Sequence, residues 1–331
     1  MHFSRRWFLV PAVLLLLTGC QSGDRWISPR GDYFGQTPPD STPVIFAPGI
    51  ISTSLNERDA AWSPDGTLFV HSIYELGRGT IVVSEIKNGR WTEPEIPEFS
   101  REYSTIEPAF ASTGSRLWFA SQRPLEKDGE AKDYDLWYAD RLPDGTWGEP
   151  VNPGSPINTE HDEFYPSITE SGDILFTASR PEGFGSEDIY LAHSTDSGYD
   201  QPANLGPSVN GAGFEFNAMI TADGSTVIFS SARRAGEIGG GDMYITHRNE
   251  NGIWTEAVML PKPINSEALD YCPSLTPDGK YIFFTSQRFA DTGNSTPPSS
   301  LAELKKRLRS YGNGRGDIYW VRSEGILGFG K

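Results

Sequence analysis

Short apolar runs alternate with polar turns along most of the chain, and this pattern occurs five times. Turn glycines mark the copies, at spacings of 48, 58, 52 and 55 residues: Gly66, Gly114, Gly172, Gly224 and Gly279. A large apolar residue lies four positions before each glycine, and a run of β-branched and aromatic residues follows it. Because Asp-Gly, Thr-Gly and Ser-Gly suit the positive φ of a tight turn, each copy predicts a β-hairpin.

Two further segments follow these hairpins. A third strand is predicted in every copy, at residues 80–85, 135–140, 188–193, 242–247 and 317–322. A fourth strand follows in the first four copies, at residues 91–96, 147–152, 199–204 and 254–259. Four strands in about 50 residues are typical of a propeller blade, and runs that are apolar on both faces suit strands packed between blades.

The last copy has no fourth strand after it, and the missing piece is found near the N-terminus. Residues 41–53, STPVIFAPGIIST, have the same pattern as residues 254–266, WTEAVMLPKPINS. We therefore expect the N-terminal strand to complete the final blade, which closes the ring and removes an open sheet edge. The fold predicted for residues 43–325 is an all-β, five-bladed β-propeller of four-stranded blades.

Several copies resemble a known repeat. The segments SPDGTLF (63–69), TPDGKYIFFTSQR (276–288) and GDIYWV (316–321) are similar to the PD40 repeat, the WD40-like propeller repeat of the periplasmic TolB family. The resemblance covers about residues 57–322 and implies periplasmic binding or scaffolding, with an envelope protein or a peptidoglycan-associated partner. It is incomplete, because TolB has six blades and an additional N-terminal domain, and this chain has room for neither.

The first 20 residues are interpreted as an export signal. Arg5 and Arg6 precede a short apolar run, and LTGC, which ends at Cys20, resembles the lipobox of bacterial lipoproteins. That resemblance implies cleavage before Cys20 and lipid on its thiol, and Gln21 then implies the outer membrane. Residues 21–42 are predicted to be a flexible tether. SRRWFL (4–9) also resembles a twin-arginine signal, so both export routes remain open.

Composition narrows the function classes. The formal net charge is −16, from 44 acidic and 28 basic residues, and a chain with this balance lacks the basic footprint of a nucleic-acid-binding protein. Membrane contact is accordingly expected only through the lipid anchor. Cys272 is the single cysteine besides Cys20, so we predict no internal disulfide. No histidine pair has metal-ligand spacing, and we assign neither a cofactor nor a metal ligand.

Acidic residues recur in the first strand of the blades, nine and seven positions before the turn glycines. First strands line the channel of a propeller, so these residues form a candidate ligand-binding rim: Glu57, Asp59, Glu107, Glu163, Glu215 and Asp270. A carboxylate ring can hold a cation or basic side chains, or supply paired carboxylates for glycoside hydrolysis. Alternatively, these carboxylates accept hydrogen bonds from linker N–H groups. No residue is assigned as catalytic.

A second recurring set flanks the loops between second and third strands. Arginines end four second strands and aspartates begin the matching third strands: Arg123 with Asp135, Arg180 with Asp188, Arg233 with Asp242, and Arg288 with Asp317. Because a guanidinium fits a carboxylate in a two-pronged manner, we expect these pairs to form structural staples at the loop bases.

The longest of these loops is an insertion at residues 289–315. Ser300 and Glu303 form a capping-box pattern, and leucines recur at 301, 304 and 308, which predicts a short amphipathic basic helix. We expect its leucines to pack on the propeller, with partner docking as the alternative. The function predicted overall is a lipid-anchored, non-catalytic binding or scaffold module, and the alternative is a glycan-active hydrolase that uses carboxylates at the channel mouth.

Overall fold

A computed structural model describes residues 26, 28–126, 129–290 and 297–330. Its strands form five antiparallel blade sheets arranged as a β-propeller, which confirms the predicted fold, and a separate two-stranded sheet within blade 3. The strands of blades 1 to 3 follow the N-terminal strand in chain order: β1 (Val44–Ile45), β2 (Glu57–Trp62), β3 (Leu68–Glu75), β4 (Arg78–Lys87), β5 (Arg90–Trp91), β6 (Thr105–Phe110), β7 (Arg116–Ser121), β8 (Asp135–Asp140), β9 (Glu163–Ile168), β10 (Ile174–Ala178), β11 (Asp188–Ala192), β12 (Ser194–Thr195), β13 (Gly198–Tyr199) and β14 (Ala203–Asn204).

The remaining strands build blades 4 and 5: β15 (Phe214–Ile220), β16 (Thr226–Ala232), β17 (Asp242–His247), β18 (Val258–Met259), β19 (Asp270–Leu275), β20 (Tyr281–Ser286) and β21 (Asp317–Arg322). Blade 2 contains a regular sheet of β6, β7 and β8, and a single bridge between Tyr138 and Val151 occupies its fourth position.

The ring closes as the sequence pattern predicts. Strand β1 pairs antiparallel with β21, with Val44 opposite Trp320 and Ile45 opposite Tyr319. The preceding segment also packs at this junction, because Phe34 is buried and stacks on Trp91 with ring centroids 4.2 Å apart. The tether predicted for residues 21–42 is therefore wrong at Phe34, since an aromatic side chain with a place in the core anchors the backbone there.

Adjacent blades pack through both faces of their second strands. In β7, Leu117 and Phe119 contact blade 1, whereas Trp118 and Ala120 belong to the cluster shared with blade 3. All four side chains are buried, as the continuous apolar run predicts. Burial on both faces leaves little space for change, so truncating such a residue as Phe119 to alanine is expected to cost about 3–5 kcal/mol.

The described part of the insertion contains one helix, α1 (Leu301–Leu308). The capping box forms, because the Ser300 hydroxyl accepts a hydrogen bond from the Glu303 N–H. However, Leu301, Leu304 and Leu308 are 65%, 38% and 55% exposed, so the expectation that they pack on the propeller is wrong. The insertion is tied down at its base, where residues 289–290 bond to residues 312–313, and this attachment leaves the leucine face of α1 uncovered.

The described residues include no helix with the length and apolar character needed to span a membrane. The predicted export signal and Cys20 lie outside the described residues.

Candidate functional site at the mouth of the central channel

Every first strand contains a β-bulge at the same place in the repeat. The residue seven positions before the turn glycine has a positive φ in all five blades, between 48° and 62°, and these residues form what we call the inner ring: Asp59, Glu107, Tyr165, Asn217 and Cys272. A positive φ is uncommon for residues other than glycine, and bulges commonly redirect a side chain. Here they bring five dissimilar side chains together at the channel axis.

Arg58 connects the inner ring. Its Nε lies 2.8 Å from Asp59 Oδ1, and its Nη2 lies 2.7 Å from Glu107 Oε1. Glu107 also accepts hydrogen bonds from the Tyr165 N–H at 2.8 Å and from Asn217 Nδ2 at 2.9 Å. Burial raises the pKa of Glu107 to about 7, and the Arg58 charge opposes that rise. This network joins residues of blades 1, 2, 3 and 4 at the channel axis.

The positions two residues earlier form an outer ring with a different role. Its carboxylates are Glu57, Glu163, Glu215 and Asp270, and blade 2 has Thr105 there. Each carboxylate is buried and accepts a hydrogen bond from the N–H four residues before it, at donor–acceptor distances of 3.1, 3.1, 2.6 and 2.7 Å. Burial raises the pKa of Glu57 and of Glu163 to about 7. These four side chains stabilise the linkers between blades.

The structure therefore divides the predicted rim. Asp59 and Glu107 come together through Arg58, whereas the outer-ring carboxylates stay apart in their own linkers. Arg58 was not selected as a site residue from the sequence, although the sequence contains a signal for it. The residues eight positions before the turn glycines are otherwise apolar or aromatic, and Arg58 is the one charged member beside Ile106, Phe164, Phe216 and Tyr271.

A cavity of about 420 Å³, which we call the funnel, opens above this network. It lies at the loop-rich face, the end of the propeller that carries the second-to-third loops and the blade linkers. Six aromatic side chains line the funnel: Tyr74, Tyr134, Phe164, Phe214, Phe216 and Tyr271. A second cavity of about 710 Å³ lies at the plain face, which carries the tight turns. Arg58, Glu107 and Asn217 line the funnel and not the second cavity.

Glu187 is the other carboxylate of the funnel, and sequence reasoning missed it too. It lies directly before Asp188, where the equivalent residues are Gly79, Tyr134, Gly241 and Gly316. Its side chain accepts no hydrogen bond and forms no ion pair with any described residue. Burial, with a further contribution from the charge of Asp162, raises the pKa of Glu187 to about 7, and Arg58 acts in the opposite direction. Glu187 is thus a half-buried carboxylate without a partner in the described chain.

The predicted Arg–Asp staples are wrong as pairs. The aspartates bond within their own loops: Asp188 accepts from the Phe184 N–H, Asp242 from the Ile238 N–H, Asp317 from the Gly312 N–H, and Asp135 from Lys132 Nζ. In three of the four loops the donor is a backbone N–H four or five residues before the aspartate, so the loop closes on itself.

The arginines reach instead to the carbonyls of the preceding linker. Arg123 donates to Phe99 O, Arg180 to Ile157 O and Arg288 to Ile264 O. Arg288 also bonds to Asp270 Oδ1 at 2.6 Å, which joins it to the outer ring. In blade 4 the neighbouring Arg234 takes this role, through Val209 O, whereas Arg233 is exposed. The arginines are thus structural, but they join different partners from those expected.

Within the described part of the chain, no group of three or more His, Cys, Asp or Glu side chains is placed to hold a metal ion. Cys272 is a free, fully buried cysteine, and burial raises the pKa of its thiol well above the usual range.

No family model matches the sequence, and no curated protein matches it. Among solved structures, a protein solved as an RGII complex superposes with a TM-score of 0.52 at 11% identity, over 86% of this chain and 91% of that protein. A glycoside hydrolase superposes with a TM-score of 0.50 at 12% identity, over 86% and 91%.

TolB from Acinetobacter baumannii is also a structural neighbour, with a TM-score of 0.45 and 16% identity. That match covers 82% of this chain, which spans about half (55%) of the length of the Acinetobacter protein. At 11% and 12% identity, the two likenesses with TM-scores of 0.52 and 0.50 show a shared fold alone. The five blades of this chain are counted from its own sheets.

Proposed function

We propose that the protein is a lipid-anchored periplasmic propeller that binds a cell-envelope protein or a cell-wall partner through its loop-rich face, without catalysing a reaction. One observation carries the proposal: the loop-rich face combines the funnel with exposed apolar loop residues. Leu76, Leu125, Phe184 and Phe289 come from the second-to-third loops of four blades, and each is more than half exposed. Apolar groups gathered around a concavity are typical of a binding surface.

The leucine face of α1 extends this surface. It belongs to the same set of loops, and Lys305 and Lys306 lie beside its exposed leucines. Amphipathic helices with i, i+3 and i+7 apolar residues commonly bind a partner by that face. The docking alternative for this helix therefore becomes part of the proposal.

The hydrogen-bonding of the rim argues against hydrolysis. A glycosidase needs two carboxylates free to act on either side of a glycosidic bond. Glu163 and Glu215 are occupied by linker N–H groups, and Glu107 is occupied by Arg58, Tyr165 and Asn217. The structural similarity to a glycoside hydrolase concerns the fold and does not identify a catalytic residue in this chain.

Site-specific photo-cross-linking in intact envelopes tests the proposal. A cross-linking amino acid at Phe184 or Phe289 samples the loop-rich face, and the same amino acid at Leu142 or Ile253 samples exposed turns of the plain face. We expect one discrete adduct from the first pair and none from the second. Equal labelling from both faces would overturn the proposal, as would sugar release from cell-wall glycan by purified protein that Glu107→Gln or Glu187→Gln abolishes.

The anchor has its own test. Cys20→Ser is expected to move the protein from the membrane fraction to the soluble periplasmic fraction. Retention of that variant on the membrane would contradict anchoring through lipid.

A further inference from the structure

The funnel has the composition of a site for a positively charged organic group. We propose that it binds an ammonium group, carried by a small molecule or by a lysine side chain, with Glu187 as the counter-charge and the surrounding rings as the walls. This inference deepens the proposed function and rests on it, because it names the chemistry recognised at the centre of the loop-rich face.

The walls are the first reason. Tyr74, Tyr134, Phe164, Phe214, Phe216 and Tyr271 line the cavity, and together they come from all five blades. Aromatic faces attract cations through the ring quadrupole, and several rings around one space form the cage that favours alkylated ammonium groups. The volume of about 420 Å³ is within the range of small-ligand sites.

The charge balance is the second reason. Among the described residues, Arg58 is the one cationic side chain that lines the funnel, and its guanidinium is engaged by Asp59 and Glu107 at 2.8 and 2.7 Å. Arg233 lies over the ring of Phe214 at 4.9 Å, so that ring is already engaged by a cation. Those three side chains together carry a net negative charge when ionised. Glu187 adds a carboxylate without a partner in the described chain, and Asp162 adds another charge nearby. A carboxylate that is partly buried and unpaired is costly, so a bound cation would relieve the site.

Two of the other polar groups of the funnel are already engaged, which leaves few for a neutral polyhydroxylated ligand. The Tyr134 hydroxyl is bonded to Ser104 Oγ at 2.7 Å, and Asn217 Nδ2 is bonded to Glu107. A neutral sugar needs several free donors and acceptors, whereas an ammonium group needs one carboxylate and a set of rings. The funnel offers the second combination.

Calorimetric titration of the purified protein tests the inference with three probes. Choline carries the cation on a small molecule, Nα-acetyl-lysine amide carries it on a side chain, and 3,3-dimethylbutanol is a neutral molecule of the same shape as choline. We expect one or both cations to bind at millimolar concentration or below, and the neutral molecule to bind at least about tenfold more weakly. Preference for choline or for the lysine derivative identifies the source of the ammonium group.

Two variants of one loop provide the matched comparison. Glu187→Gln should weaken cation binding by about tenfold or more, whereas Glu182→Gln, which removes an equal charge from an exposed site, should change it by less than about twofold. Tyr74→Leu removes one ring and gives a second readout if Glu187→Gln alters folding. Affinity should also be higher at pH 8 than at pH 6, because burial raises the pKa of Glu187 and of Glu107 to about 7 and both carboxylates line the funnel. This pH dependence should be weaker in Glu187→Gln.

Three results would overturn the inference: no binding of either cation, equal binding of the neutral molecule, or equal effects of the two glutamate variants. Its failure is distinguishable from that of the proposed function. If cross-links from Phe184 and Phe289 form but no cation binds, the proposed binding function is supported and the proposed ammonium site is wrong.

Discussion

The outer and inner rings lie two residues apart on the same five strands, yet they are built in opposite ways. The outer ring places a carboxylate in four of five blades, and each accepts the N–H of its own linker four residues earlier. The inner ring has a different residue in every blade, and its contacts run across the axis, as from Asn217 of blade 4 to Glu107 of blade 2. Residues that repeat from blade to blade therefore make contacts within their own blade and linker. The contacts at the centre of the ring are made by residues that differ from blade to blade.

Electrostatics explains why the centre cannot repeat. Carboxylates from five blades would converge at the axis in a buried space, where like charges raise each other's pKa and resist ionisation. The outer positions are held apart by their linkers and can carry the same residue. At the inner positions, two carboxylates, a phenol, an amide and a thiol surround one arginine, which gives a set of bonds that five copies of one residue could not make.

The largest expected effect comes from removing the arginine at the centre. Arg58→Met leaves Asp59 and Glu107 buried without their cation, which is expected to destabilise the protein by about 3–5 kcal/mol. Urea unfolding measures this loss. The triple variant Arg58→Met, Asp59→Asn, Glu107→Gln removes the uncompensated charges and should recover part of it. A loss below about 1 kcal/mol for Arg58→Met would show that the inner ring is not a buried ion network.

A single outer-ring residue should matter less, because its bonds are local. Glu163→Ala removes the acceptor of the Thr159 N–H and hydroxyl and is expected to cost about 1–3 kcal/mol. Glu160→Ala, at an exposed residue of the same linker, is the control and should change stability by less than about 0.5 kcal/mol. Equal losses for the two variants would contradict a structural role for the outer ring.

The outer ring also predicts the direction of a pH effect. The pKa of Glu57 and of Glu163 rises from 4.5 in the reference state to about 7 in the folded protein, mainly through burial. The folded state therefore retains protons that the unfolded chain releases, so this contribution to stability is complete below the lower pKa and is lost as pH rises through about 7. Thermal unfolding should show a steeper fall in stability between about pH 5 and pH 8 in wild type than in Glu163→Ala.

The two neighbouring arginines of blade 4 allow a similar comparison with smaller expected changes in stability. Arg234 donates to Val209 O and lies over the Tyr244 ring at 4.9 Å, so Arg234→Ala is expected to cost about 1–2 kcal/mol. Arg233 is exposed and lies over the Phe214 ring at 4.9 Å, so Arg233→Ala should cost about 0.5–1 kcal/mol or less. Chemical denaturation measures both losses. A larger loss for Arg233→Ala than for Arg234→Ala would show that Arg233, the residue selected by repeat alignment, is the structural arginine of blade 4.

The fold was predictable because its signals are local. Turn glycines such as Gly66 and apolar runs set the hairpins, and residues 41–53 match the missing strand well enough to predict ring closure. The outer-ring bonds were among the predicted alternatives, because acceptor and donor are four residues apart. These features need no knowledge of how distant blades face one another.

The candidate site was predictable only in part, since its contacts cross the axis. Alignment found Asp59 and Glu107 but could not show that they share Arg58, because the register places each in a different blade. The Arg–Asp staples failed for a related reason: alignment shows that two residues recur together without showing which neighbour each prefers. Glu187 was visible only as a departure from glycine or tyrosine at its position.

The smallest expected effect concerns Cys272, the inner-ring residue with the weakest bonds. Its Sγ lies 3.5 Å from both Arg58 Nη2 and Asn217 Oδ1, so Cys272→Ala should cost about 1 kcal/mol or less. The thiol is also a reporter of channel closure, in protein whose Cys20 is lipidated or replaced by serine. Because Cys272 is fully buried and its pKa is raised, Ellman's reagent should react with it only on unfolding, and faster in Arg58→Met than in wild type. Rapid reaction in the folded wild type would mean that the inner ring leaves the channel open, and its contrast with the outer ring would then lose its physical basis.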